Sequence, residues 1–323
     1  MTIVEAVGAT GTRAGGHAPG TWLGGRFRLD ERVSAAAEPG TRASAAARLP
    51  VWKATDELLR RPVTVHLLPR GIPVPPHVVQ ALQAAARVSD PRLATIYDTD
   101  YSPEDPYLVS EWAPGTHLED LVLSGLPSPA LAAAMMADAA DAIAVAHRAG
   151  LPHLCLNPRS LRWDTSSGLK ITGLGIDAVL YGPGAGTARP GAGQAADVRA
   201  LARMLYALLT GYWPGEDATA LPPAPRHKGR VCTPRQVRAG VPAILDAIAY
   251  RGLSGEAPDA PLRPQTAAGL ALALRMVQRP SYQQESPELP VEQTRRLSAQ
   301  RRARHVRGRT GIRHRTALLR PAA

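Results

Sequence analysis

The stretch "DVRALARMLYALLTGYWP" (197–214) carries apolar residues at helical spacing up to Gly211, so it reads as one long helix. Upstream, "SPALAAAMMADAADAIAVAHRAG" (128–150) reads the same way, an amphipathic helix whose apolar run is cut by Asp138 and Asp141. The second half of the chain is therefore helical, with loops and short β-like runs such as "LKITGL" (169–174) in between. The first half has the opposite period. "RFRLDERV" (26–33), "PVWKATD" (50–56) and "PVTVHLLP" (62–69) alternate apolar and polar residues and predict three antiparallel strands. "LATIYDTDY" (93–101) and "PYLVSEWA" (106–113) predict two more, and between the two sets "HVVQALQAAARV" (77–88) has helical spacing that stops at Asp90-Pro91. Strands followed by helices make an α+β chain of two lobes, one small and β-rich, one helical. The link between them is "APGTHLEDLV" (113–122), with Gly115 in the turn and Leu118, Leu121 and Val122 starting a helix.

At 323 residues, 45% hydrophobic and 20% charged, the chain is expected to be a soluble globular body. No apolar run reaches the roughly 18 residues of a membrane span, and the first twenty residues lack the basic start and apolar core of a secretion signal. Cys155 and Cys232 are the only cysteines and lie far apart, so neither a disulfide framework nor a zinc site is implied, and a reducing cytoplasm is the expected compartment. The net charge of +11 is concentrated in a tail: after Glu292 come ten arginines, from Arg295 to Arg320, and no acid. The expected organisation is a flexible lead-in (1–20), the β-rich lobe (21–110), the helical lobe (111–279), and a polar linker with an Arg-rich tail (280–323). Such a tail suits an anionic membrane surface, and its lack of aromatic residues disfavours nucleic acid.

Together these segments resemble the protein kinase family. "VTVHLL" (63–68) stands where V-A-I-K is expected, "YLVSEWAPGTHLEDLV" (107–122) looks like the hinge, and "HLCLNPRSL" (153–161) like the catalytic loop H-R-D-L-K-P-x-N-L. "LKITGLG" (169–175) looks like the strand entering D-F-G, and the 197–214 stretch like the central helix of the large lobe. Positions 155 and 160 are five apart, and 155 and 173 are 18 apart, both family intervals. The resemblance covers roughly residues 25 to 278 and implies a bilobal protein-kinase-like fold. More narrowly, "VWKATDELLRRPVTVHLLP" (51–69) and "LNPRSL" (156–161) are similar to actinobacterial kinase-like domains associated with the lipid II flippase of peptidoglycan synthesis.

Phosphoryl transfer depends on positioning and charge neutralisation, so the residues the resemblance implies can be checked one at a time. The phosphate-binding lysine is His66, and its helix partner aligns near Ala81. After Val33 the glycine-rich loop reads "SAAAEPG" (34–40), with one glycine. The catalytic aspartate is Cys155, a thiol with no flanking cation that reads as a small buried hydrophobe. The two metal-ligand positions are Ser160 and Gly173, so no metal is expected. Lys53 reads as solvent-facing. Residues expected to line a nucleotide or partner cleft are Val33, Thr64, Ser110, Glu111, Ala113, Arg162 and Thr172. His153, Leu174 and Asp197 keep structural residue classes: the first two pack the family's regulatory column, and Asp197 stands where a central-helix aspartate bonds the catalytic loop. The segment "GPGAGTARPGAGQAA" (182–196) has no A-P-E, which leaves Arg263 without its family partner.

The expectation is a catalytically inactive kinase-like domain, a pseudokinase, that needs no cofactor and serves as a binding or scaffold module through a protein partner. By resemblance it attends peptidoglycan precursor export at the inner face of the plasma membrane. The alternatives are an atypical serine/threonine kinase that binds ATP, and an Arg-tail binder of nucleic acid or anionic membrane.

Overall fold

The structure is a computed structural model that describes residues 16–33, 49–71, 73–180, 191–253 and 265–278. Six strands form the first lobe: β1 (Trp22–Leu23), β2 (Phe27–Arg32), β3 (Val51–Asp56), β4 (Arg61–Leu67), β5 (Ile96–Asp100) and β6 (Tyr107–Glu111). They pair antiparallel in the order β1-β2-β3-β4-β6-β5. The period-two pattern works as read. Trp52 and Ala54 of β3, and Val63, Val65 and Leu67 of β4, point to one face and are buried with Leu23, Phe27, Leu29, Tyr107 and Val109. The short strand β1 is an addition to the expected set; it hairpins back on the start of β2. Asp56 ends β3 fully buried, with its carboxylate clasped by Arg26 at 2.9 and 2.7 Å and by the Leu59 amide at 3.2 Å. That pairing holds its carboxyl below the usual range and fixes the β3–β4 turn.

The opposite face of the sheet carries the candidate site. In register across three strands stand Lys53, Thr64 and Ser110, and next to them Val51, His66 and Leu108. Helix α1 (Pro76–Ala86) begins with proline at its first position and buries Val78, Leu82 and Ala85 against Leu68, Ile96 and Leu108.

In the second lobe α2 (Leu118–Ser124) leads to α3 (Pro129–Arg148), which Ser128 caps by accepting the Leu131 amide at 3.2 Å. Then come β8 (Leu161–Asp164) and β9 (Gly168–Ile171), joined by β7 (Thr116–His117) into a three-stranded sheet ordered β7-β8-β9. Helices α4 (Ile176–Leu180), α5 (Ala192–Thr210), α6 (Pro234–Val237), α7 (Ala243–Leu253) and α8 (Ala267–Gln278) follow, with the β10–β11 hairpin (Arg226–His227, Arg230–Val231) between α5 and α6. Helix α5 starts five residues before Asp197, because Ala192–Ala196 are mostly strong helix formers. It ends where Gly211, at φ +85°, donates its N–H to Ala207 O at 2.8 Å.

Helix α3 packs against α5 and α8, with Ala132, Met135, Met136, Ala139, Ala142 and Ile143 fully buried. Among the described residues it is the helix long and apolar enough to cross a membrane, and 72% of its apolar window is buried inside the lobe. The described residues thus form the bilobal α+β fold expected from the sequence. Backbone bonds tie the lobes together where Ile171 donates to Arg92 O at 2.7 Å and accepts from the Ala94 amide at 2.8 Å.

Candidate functional site

The loop 153–161 is held by the start of α5. Asp197 is buried; its Oδ2 accepts the His153 backbone N–H at 2.7 Å and its Oδ1 that of Leu154 at 2.8 Å. His147 Nε2 lies 2.8 Å from the same Oδ2. His153 is fully buried and donates from Nε2 to Thr172 O at 2.9 Å, which ties the loop to the strand end at 172. Within the loop, Asn157 Nδ2 donates to Cys155 O at 2.9 Å, and Ser160 Oγ accepts the Asn157 amide at 3.2 Å. Buried Glu119 of α2 holds the far side through Arg159 at 2.9 Å and the Ala220 amide.

Cys155 is half-buried, and its thiol is pushed up to about 12 by burial and then by the charges of Asp177, Asp197 and Asp217. It stays protonated at neutral pH. On the sheet face, burial pushes His66 down to about 4, so the imidazole is neutral, and its Nδ1 is buried without a hydrogen-bond partner. Thr64 Oγ1 donates to Glu111 O at 3.4 Å, while the Glu111 carboxylate meets Lys170 Nζ at 2.6 Å and the Thr95 amide at 3.3 Å. Ser110 and Ala113 are buried, and Val33, exposed at the end of the described strand, donates to Val51 O at 2.8 Å.

Lys53 is not the solvent-facing residue read from the sequence. The register turns it to the Thr64–Ser110 face, and its ammonium lies 5.1 Å from the Trp112 ring centroid. The Arg162 guanidinium lies 5.7 Å from the same ring and donates to Pro114 O at 3.3 Å and Gly115 O at 2.6 Å. His117 bridges Arg159 O at 2.7 Å and Arg162 Nη1 at 2.8 Å. A carbonyl can only accept, so Nδ1 carries the proton and Nε2 accepts from Arg162. This matches a His117 pushed down to about 4 by burial and by Arg162 and Arg159.

The turn after β9 holds the feature that sequence reasoning missed. Thr172 donates its N–H to Ser160 O at 2.9 Å, and Gly173 follows at φ +89°. Gly173 O accepts the amides of Ile176 at 3.0 Å and Asp177 at 2.8 Å, which curls the turn so that the Asp177 side chain folds back over Gly173. A Cβ built on Gly173 would fall inside that carboxylate, 2.8 Å from Oδ1 and closer still to Cγ and Oδ2. Leu174 is buried. At Gly175 a Cβ would run into Ala85 of α1, with Ala81 O 3.6 Å away, so small side chains on α1 seat it against this turn where the family has an ion pair. The 34–40 loop, residues 181–190, Arg263 and the arginines from Arg295 to Arg320 lie outside the described residues.

No protein-family model matches the chain. In sequence it is 26% identical over 262 residues to a probable serine/threonine-protein kinase of Corynebacterium efficiens, covering 71% of this chain and 39% of that one. It is 27% identical over 268 residues to serine/threonine-protein kinase PknB of Mycobacterium tuberculosis, covering 74% of this chain and 42% of the relative. The chain thus spans less than half the length of these relatives. Among solved structures, a point-mutant form of the kinase domain of PknI from Mycobacterium tuberculosis superposes with a TM-score of 0.59 at 18% identity, covering 81% of this chain and 98% of that one.

These relatives overturn the expectation of an inactive, non-enzymatic module, which rested on the residues at positions 66, 155, 160 and 173 taken alone: the chain's sequence relatives are named serine/threonine-protein kinases. The inference failed because it weighed the residue types at those family positions above the similarity of most of the chain to named kinases. The chain thus has the fold of a solved kinase domain and is similar in sequence, at 26–27% identity, to bacterial serine/threonine-protein kinases.

Proposed function

We propose that this chain is an atypical serine/threonine protein kinase domain, which takes a nucleoside triphosphate in the cleft between its lobes and transfers the terminal phosphoryl group to a serine or threonine hydroxyl. The observation that carries this reading is the alignment of 74% of the chain with a kinase of that name. The geometry is compatible with it: the backbone amides of His153 and Leu154 are fixed by Asp197, and Glu111, at the start of the hinge, pairs with Val63 of β4. Because phosphoryl transfer is catalysed mainly by positioning and charge stabilisation, a rigid loop and hinge supply a large part of what it needs.

The charge-bearing groups are atypical. His66 is neutral, so β4 supplies no fixed cation, and Lys53, on the paired strand β3 and on the same face, is the cation nearest in the register. At the family's metal-ligand positions the residues present do not fit a pair of ions. Gly173 has no side chain, the Ser160 hydroxyl is engaged with the Asn157 amide, and among the described residues no group of three or more His, Cys, Asp or Glu side chains is arranged to hold a metal.

The test is incorporation of labelled phosphate into a generic protein acceptor and into the chain itself, at stoichiometric amounts of the full chain with Mg²⁺ or Mn²⁺. Incorporation on serine or threonine that a non-hydrolysable nucleotide analogue abolishes supports the reading. Absence of incorporation with both metals, from protein shown by its melting curve to be folded, overturns it.

A further inference from the structure

Resting on the kinase reading above, we propose that the β10–β11 hairpin is the surface on which this domain docks an acidic segment of the protein it phosphorylates. The charge of the body is uneven. Residues 218–245 hold five Lys or Arg and no acid, whereas the rest of residues 1–292 holds 23 Lys or Arg against 27 Asp or Glu. The hairpin carries three of those five cations, Arg226, Lys228 and Arg230, all exposed. The register puts Arg226 with Val231 on one side and His227 with Arg230 on the other, and Lys228 stands at the tip. Lys228 at φ +50° and Gly229 at φ +79° form the left-handed pair of a two-residue turn in which Asn-Gly is the ordinary choice, so the turn itself does not call for a lysine. The Arg226 guanidinium donates to Gly229 O at 3.2 Å, and among the described residues no carboxylate forms an ion pair with it or with Lys228.

The hairpin is anchored, and it stands near the loop 153–161. Across its base Cys232 donates its N–H to Pro225 O at 2.9 Å, and the fully buried Tyr206 of α5 donates its hydroxyl to Cys232 O at 2.9 Å. Upstream, the Ala220 amide is held by Glu119, which also pairs with Arg159 of the loop at 2.9 Å. The chain from Ala220 to Arg226 spans at most about 20 Å, so an extended acceptor with its hydroxyl at the loop reaches the hairpin within roughly eight residues. Among polyanions, an acidic polypeptide fits best. Among the described residues the exposed large apolar side chains lie elsewhere than on the hairpin, so a membrane would be held by charge alone. No aromatic residue occurs in 222–240, which removes the stacking platform of a single-stranded nucleic-acid site. Cations on both sides and at the tip suit a narrow chain laid along the hairpin, whose carboxylates meet guanidinium forks.

Lysine chemistry separates this surface from the Arg-rich tail in the test. The chain has three lysines, Lys53, Lys170 and Lys228, and residues 279–323 have none, so carbodiimide couples a bound carboxylate to Lys228 and not to the tail's side chains. The full chain is mixed with a Glu/Asp-rich peptide or its Gln/Asn counterpart, coupled and mapped by mass spectrometry, and the same peptides bearing one serine serve as acceptors for labelled phosphate. Coupling of the acidic peptide is expected at Lys228, reduced at least about fivefold by R226Q/R230Q and by about 0.5 M salt. The acidic acceptor is expected to have at least about fivefold the kcat/KM of the neutral one, a ratio that falls to about one in R226Q/R230Q. No coupling at Lys228, or an acidic preference kept by R226Q/R230Q with a wild-type melting curve, overturns the docking surface and leaves the kinase reading standing. Protection of Lys228 from acetylation by phosphatidylserine vesicles or by RNA, but not by the acidic peptide, overturns it in favour of that partner. Coupling at Lys228 with no phosphate incorporated into either peptide or any other acceptor overturns the kinase reading and leaves the hairpin as a binding surface for acidic protein.

Discussion

Asp197 Oδ1 accepts the backbone N–H of Leu154 at 2.8 Å, and Leu154 is held at φ +67°, a left-handed conformation that a leucine does not choose for itself. The strain, of order 1–2 kcal/mol, persists because the buried carboxylate fixes both this amide and that of His153. Removing the carboxylate in D197A leaves two buried backbone donors and His147 without their acceptor. A loss of about 3–5 kcal/mol is expected, read as a lower midpoint in urea melts. D197N keeps the volume and one acceptor oxygen and is expected to lose less. Equal midpoints for wild type and D197A would show that the loop conformation does not depend on this contact.

Two histidines make stability fall on the acid side. His66 and His117 are each pushed down to about 4 by burial, against about 6.5 in an unfolded chain. Between those values the unfolded state binds more protons, so stability rises with pH across that window, is complete above about 6.5, and is lost as pH falls towards 4. Thermal midpoints measured from pH 7.5 to 4.5 are expected to drop, and H66Q, which has no imidazole to protonate, is expected to flatten part of the drop. The same slope in H66Q and wild type would rule His66 out as a contributor.

Periodicity made the fold legible. Alternation in 51–56 and 62–67 marked Trp52, Ala54, Val63 and Val65 as one buried face, and the helical spacing of 197–211 marked a core helix, because burial and local period are the same physical fact seen twice. The same alternation could have placed Lys53 on the face of Thr64, opposite the buried face, since only parity is needed. Asp177 was hidden for a different reason. Reading a site by matched positions assumes that each side chain projects from its own residue. A carboxylate that reaches the space above Gly173 by folding back over a turn breaks that assumption. The available signal was a glycine at an acid position with an acid four residues later.

The Cys155 thiol should be slow to alkylate. With its pKa pushed up to about 12 by burial and neighbouring carboxylates, the thiolate fraction at pH 8 is on the order of a thousandfold below that of a free thiol. Mass spectrometry of peptides after timed iodoacetamide exposure is expected to show Cys155 labelled only after denaturation. Labelling of the native chain at a rate near that of glutathione would mean that the loop opens or that burial does not hold the thiol protonated.

Arg162 is expected to be irreplaceable by either leucine or lysine, for separate reasons. Its planar guanidinium donates to Pro114 O and Gly115 O and to His117 Nε2, and it flanks the Trp112 ring as Lys53 does, so one side chain satisfies acceptors that β8 and the hinge share. R162L removes the donors and leaves those carbonyls to solvent at a cost of about 1–3 kcal/mol, the usual range for losing charged hydrogen bonds. R162K keeps the charge but cannot span diverging acceptors with a point-like ammonium, and is expected to recover less than half of that loss. Because the interaction joins the hinge to the second lobe, R162L is also expected to speed amide hydrogen exchange at residues 113–117, a change that a purely local surface effect would not produce. Full recovery of both stability and exchange protection by R162K would mean that charge, not the fork geometry, holds the hinge.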